Sequence, residues 1–114
     1  MSHLDKNVFD TLKSIMEDEF EKLIDVFIQD TKRHITLLQD ALTHKDSEVL
    51  RASAHAIKGS SSNIGASQLS RIAADLECQV KFELSNFKSY KALVVSLSRE
   101  FEQLVPELRE ACGK

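Results

Sequence analysis

The chain has 114 residues, a formal net charge of −3, and 42% hydrophobic and 29% charged residues. That is the length of one domain, 1–114, with the composition of an ordinary soluble globular protein. The acidic balance excludes a nucleic-acid binder of the usual kind, which shows a basic face; no apolar run reaches membrane-spanning length, and Asp5 and Lys6 stand where a signal peptide needs an apolar core, so a cytoplasmic location is expected.

Only three glycines and one proline interrupt the chain, and apolar residues recur at three- and four-residue steps, the spacing of an all-α protein. Val8, Phe9, Leu12, Ile15 and Met16 predict a short first helix. Phe20, Leu23, Ile24, Phe27, Thr31, Ile35, Leu38, Ala41 and Leu42 predict a long second one, with Glu17, Asp18 and Glu19 at its start complementing the helix dipole. Thr43-His44-Lys45 reads as a turn, Asp46 as the N-cap of a third helix, and Glu48 as part of its first turn.

Gly65 ends the third helix as its C′ residue, and Ala66 or Ser67 opens a fourth with the stripe Leu69, Ile72, Ala73, Leu76, Val80 and Leu84. Ser85 or Asn86 caps the last helix, whose Tyr90, Leu93, Val94, Leu97, Phe101, Leu104 and Leu108 keep near-heptad spacing. Pro106 lacks a donor N–H and is expected to kink or end that helix near Val105. Four long amphipathic helices joined by short turns predict an antiparallel up-down-up-down four-helix bundle, with the short N-terminal helix as a lid on one end. Cys78 and Cys112 lack metal-type spacing and read as reduced thiols without a structural disulfide, Cys78 partly buried and Cys112 in a frayed tail.

The third helix carries the chemistry. At ~100° per residue, Leu50, Ala54, Ile57, Ser61 and Ile64 gather within ~80° and form the buried stripe. Measured from that stripe, Lys58 lies near ~80°, His55 near ~140° and Gly59 near ~180°, with Arg51 and Ser62 on the same outer side. An imidazole turned to solvent is a nucleophile near physiological pH. Lys58 at i+3 is within reach to hold an anion arriving at, or forming on, His55. Glycine inside a helix costs ~0.5–1 kcal/mol relative to alanine, and close approach of another protein's backbone at Gly59 would supply the compensating reason.

The run Ala54-His55-Ala56-Ile57-Lys58-Gly59-Ser60-Ser61-Ser62-Asn63-Ile64-Gly65-Ala66, continued by Leu69, Ile72, Leu76 and Glu77, resembles the histidine-containing phosphotransfer (HPt) domains of bacterial multistep phosphorelays. Ile57 stands where that family has leucine. Glu19-Phe20, Phe27, Asp30-Thr31, Leu38 and Ala41-Leu42 resemble the family's preceding helix, so the similarity spans most of the chain. It implies the same bundle and a free-standing, monomeric phosphorelay carrier. His55 would accept a phosphoryl group through its outward nitrogen, Nε2, from an aspartyl phosphate in a receiver domain and pass it to another receiver. Lys58 would offset the developing charge and Gly59 would admit the receiver's loops. Arg51 and Ser62 would border the docking face, Ser62 close enough to support the imidazole or the phosphate, and Glu77 on the fourth helix would orient the ring.

The partners so implied are receiver domains of hybrid sensor kinases and response regulators, docking transiently on the third helix and the adjoining second-helix surface. No cofactor or metal is expected on this chain, because the receiver brings Mg²⁺ and its carboxylates. With no ATP-binding lobe, no autonomous kinase activity is expected. Two other readings keep the helices: an adaptor that sequesters a response regulator without phosphorylation, and a small metalloenzyme, disfavoured because the four histidines are scattered over separate elements. His34 reads as a half-buried structural histidine, and His3 and His44 as solvated ones at an end and a turn. Ser60 and Ser61 read as small packing residues, Asn63 and Gly65 as residues shaping the helix end. Lys58-Gly59-Ser60 is no phosphate loop, since the order is inverted and the upstream glycine is missing.

Overall fold

A computed structural model describes residues 3–113 and consists of five α-helices. Helix α1 spans Lys6–Met16; the Asp5 carboxylate caps it by accepting from the backbone N–H of Asn7 and Val8. It stops where Glu17 takes a positive φ of +49°, and a 3₁₀ turn over Glu17–Glu19 leads directly into α2, Phe20–His44. The acidic triplet therefore precedes the second helix as a turn of its own. Phe9 meets Phe20 edge-on with 5.0 Å between ring centroids, which fastens α1 to the end of the bundle.

In α2, Phe20, Ile24, Phe27, Ile28, Thr31, Ile35, Leu38 and Ala41 are buried at three- and four-residue steps. The helix runs through Thr43 and His44, and the turn is confined to Lys45 at φ +54°. There the N–H of Asp46 donates to the Ala41 carbonyl at 2.8 Å while the Asp46 carboxylate accepts from Val49 N–H at 3.1 Å. One residue thus closes α2 and caps α3, Ser47–Asn63.

Helix α3 ends as expected at Gly65, whose φ is +81°. The N–H of Ala66 donates to Ser61 O and that of Gly65 to Ser62 O, a paired closure that suits glycine at this position. Space adds a second requirement, because a Cβ on Gly65 would lie 3.0 Å from the Asp5 carbonyl oxygen and 3.1 Å from Val8 Cβ. Asp5 N–H donates to Gly65 O at 2.6 Å, so the start of α1 is seated on the α3–α4 turn.

Helices α4, Ser67–Lys81, and α5, Phe87–Ala111, complete the bundle. Asn86 is the cap of α5, accepting from Ser89 N–H, and Tyr90 Oη donates to Gln79 O and Ser85 O across the connecting turn. Each of α2 to α5 packs against two of the others, α2 closing the ring on α5, in an antiparallel bundle of 42 × 21 × 20 Å. The up-down-up-down architecture with α1 over one end agrees with the periodicity. Among the described residues no helix is long and apolar enough to cross a membrane.

Four further expectations are corrected. Leu84 does not belong to the α4 stripe: the helix stops at Lys81, Glu83 adopts φ +52°, and Leu84 is 65% exposed in the turn. Of the two outcomes expected at Pro106, a kink or an end, the end is ruled out, since α5 continues to Ala111. Proline inside a helix costs about 3 kcal/mol, whereas Leu104 and Leu108, both fully buried on either side of it, contribute about 1.5–3 kcal/mol each. Lys13 Nζ also caps the last turn by donating to Ala111 O at 2.8 Å. Cys78 is exposed, because it falls on the outer side of α4 next to inward-facing Leu76. Cys112 packs against the core at the end of α5 instead of fraying, and the two cysteines are not joined by a disulfide.

Candidate functional site

The α3 stripe is buried as its spacing requires: Leu50, Ala54, Ile57 and Ser61 are fully enclosed and Ile64 nearly so. That fixes the helix rotation and leaves His55 on the surface, its side chain 64% exposed. Helix α4 packs against α3, and small residues of the two helices and their connection, Ala54, Ser61, Ala66 and Ala73, are all buried. Leu69, Ala73 and Leu76 anchor α4 in the core, and Glu77, next along the helix, is delivered to the α3 surface.

Glu77 joins two residues of α3 at once. His55 Nδ1 lies 2.6 Å from Glu77 Oε2, and Lys58 Nζ lies 2.6 Å from Glu77 Oε1. The Glu77 side chain is only 13% exposed. Burial by itself would raise its pKa, but the hydrogen bonds from Lys58 and His55, and then their charges, outweigh that and bring it below the ordinary 4.5. Glu77 is therefore a carboxylate at neutral pH. A carboxylate only accepts, so the imidazole carries a proton on Nδ1, and when the ring is neutral its lone pair is on Nε2.

The remaining predicted residues fall around this triad. A Cβ at Gly59 would meet nothing within 4 Å, so the helix surface one turn beyond His55 is open. Lys58, Gly59 and Ser62 border a groove continued by Asn63, Ser67 and Arg71 towards α4. Ser62 is exposed about two turns beyond His55, whose Nδ1 is taken by Glu77. Arg51 is half-buried one turn before His55, and among the described residues it forms no ion pair with the triad. Sequence reasoning missed Ser70, whose Oγ donates to the Lys58 carbonyl at 3.1 Å and braces α3 against α4 just below the triad. Nothing in the local pattern around Ser70 marks it, since the contact depends on how two helices meet.

The other histidines are arranged differently. His34 is half-buried as expected, and both it and His44 place Nδ1 against a backbone carbonyl four residues back, on Asp30 and Asp40. His3 is not the solvated residue its position suggests: its Nδ1 lies 2.6 Å from Glu100 Oε2 and its side chain is 23% exposed. Among the described residues, His55 alone of the histidines combines a carboxylate partner with a cation beside it and a mostly exposed ring.

Comparison with family models gives a match to the Hpt domain over residues 22–112. The chain belongs to the Hpt domain family. As an Hpt protein it is a phosphorelay carrier. Among solved structures, histidine-containing phosphotransfer protein B (HptB) from Pseudomonas aeruginosa PAO1 is 34% identical, with a TM-score of 0.89 over 96% of this chain and 93% of that one. Two more distant structures share the Hpt fold. The histidine-containing phosphotransfer protein ZmHP2 from maize is 20% identical, with a TM-score of 0.86 over 98% of this chain and 90% of that one. The HPT domain of a sensor hybrid histidine kinase from Shewanella is 14% identical, with a TM-score of 0.80 over 97% and 94%. No curated protein gives a significant match.

Proposed function

We propose that this Hpt protein accepts a phosphoryl group on His55 Nε2 from an aspartyl phosphate in one receiver domain and returns it to an aspartate in another. The observation that carries the reading is the pairing of His55: Glu77 takes Nδ1 at 2.6 Å, which leaves Nε2 as the other nitrogen of a mostly exposed ring. The Nε2 lone pair attacks phosphorus, the bond to the aspartyl oxygen breaks, and the released electron pair stays on the carboxylate. Such transfers depend on positioning and charge stabilisation more than on covalent machinery in the protein.

Lys58 is the cation that swings from Glu77 to the transferring group. Gly59 leaves room for the receiver's loops, and Arg51 and Ser62 border the docking face. The receiver supplies Mg²⁺, so the chain needs no metal or cofactor of its own, and it loads from a phosphorylated partner and not from ATP. Receiver domains of hybrid kinases and of response regulators are the partners, engaged by a monomer through short-lived contacts.

The chemistry of the bond provides the test. The protein is loaded from a phosphorylated receiver and the modified chain is split between acid and alkali. A phosphoramidate on His55 is lost in acid and survives alkali, whereas an acyl phosphate is lost in alkali or hydroxylamine. Subsequent addition of an unphosphorylated receiver should drain the label. Label stable in acid, or label that no receiver removes, contradicts the proposal.

A further inference from the structure

Glu77 does more in this arrangement than aim a ring. An amide carbonyl would orient His55 equally well, yet the residue is a carboxylate, and its second oxygen is held at 2.6 Å by the Lys58 ammonium. Both titratable groups that face Glu77, His55 and Lys58, come from α3; α5, which also packs on α4, adds none, and neither does α4 itself. The carboxylate is thus confined between one cation and one N–H, with 13% of the side chain exposed. Lys58 keeps a shared proton off Glu77, so that proton resides on the imidazole.

The location of that proton matters once the bond to phosphorus has formed. When Nε2 bonds to phosphorus its lone pair is consumed, and the ring, still protonated on Nδ1, becomes an imidazolium. In balance, neutral His55 and an aspartyl phosphate dianion give a phosphoimidazolium, net −1, and a free carboxylate, also −1. If the Nδ1 proton then escapes to solvent, later departure of the phosphoryl group has to expel an imidazolate, a poor leaving group. If the proton stays, the group departs from a neutral imidazole.

We propose that the Glu77 carboxylate retains the Nδ1 proton on phosphorylated His55, so that the carrier stays in the form that hands its phosphoryl group on. This rests on the reading of His55 as the acceptor. It makes Glu77 a positioning residue for a proton, acting through the ring without touching the phosphoryl group, with Lys58 paired to it between transfers.

The test uses the intact chain, ¹⁵N-labelled at histidine and phosphorylated with potassium phosphoramidate, in wild-type and Glu77→Gln forms. In the wild type, the Nδ1 resonance of phospho-His55 should keep the pyrrole-like shift of a protonated nitrogen through neutral into mildly alkaline pH. In Glu77→Gln it should turn pyridine-like at lower pH, and the phosphoryl group should decay more slowly there, by roughly tenfold for each pH unit the titration moves. A wild-type Nδ1 that is already pyridine-like at neutral pH overturns the proposal without any variant. So do identical titrations and lifetimes in the two proteins, while phosphate on His55 still upholds the acceptor reading. Wild-type protein that carries no phosphate on His55 overturns both.

Discussion

Lys58 and Glu77 meet across the α3–α4 interface with Nζ 2.6 Å from Oε1, so the cation assigned to the transferring phosphate is already paired in the resting protein. The pairing makes the triad nearly neutral when His55 is uncharged. In the proposed transfer, an incoming phosphoryl group would therefore compete with Glu77 for Lys58.

That competition sets the expectation for Lys58→Ala. Loss of a charge-assisted hydrogen bond worth ~1–3 kcal/mol should slow single-turnover transfer about 5- to 150-fold. Stability should fall by less than ~1 kcal/mol, because the lysine side chain is 37% exposed and such pairs are screened. Equal transfer rates would reduce Lys58 to a surface charge.

Glu77 links the site to acid stability. A carboxyl whose pKa is lowered in the fold stabilises it above the unfolded value, here the ordinary 4.5, and loses that contribution as pH falls through the lower folded value. The difference in Tm between wild type and Glu77→Gln should therefore be full at neutral pH and close below pH 4.5. A difference that is constant from neutral to strongly acidic pH would contradict the ionised triad.

Gly59 and Gly65 should respond oppositely to alanine. A Cβ at Gly59 meets open space, so Gly59→Ala should leave Tm unchanged or raise stability by up to ~1 kcal/mol, while Gly59→Phe should fold normally and transfer poorly. At Gly65 the φ of +81° and the Asp5 carbonyl 3.0 Å from the new Cβ should make Gly65→Ala destabilising by more than ~1 kcal/mol. Thermal melts paired with transfer assays separate the two. A Gly59→Phe protein that transfers at the wild-type rate would remove the close-approach argument.

Much of the fold was legible along the chain, where the physics is local. The buried stripe of α3, the caps Asp46 and Asn86, and the C′ glycine at Gly65 each depend on neighbours within one turn or so. What periodicity could not supply depends on tertiary contacts. The pairing of His3 with Glu100 spans 97 positions, and Pro106 is carried through α5 by core packing at Leu104 and Leu108. At the site, the outward turn of His55 follows from its own helix, and the similarity to HPt domains pointed to Glu77. The bond from Ser70 to the Lys58 carbonyl, and the capture of Lys58 by that glutamate, required the relative rotation of two packed helices.

The central claim is that His55 is the phosphoryl acceptor, and the most direct measurement of it is transfer of label from a phosphorylated receiver to matched variants. Wild type and a variant with His3, His34 and His44 all replaced should both take up label, and His55→Gln should take up none while melting like the wild type, because the ring is mostly exposed. Label retained on His55→Gln would contradict the account.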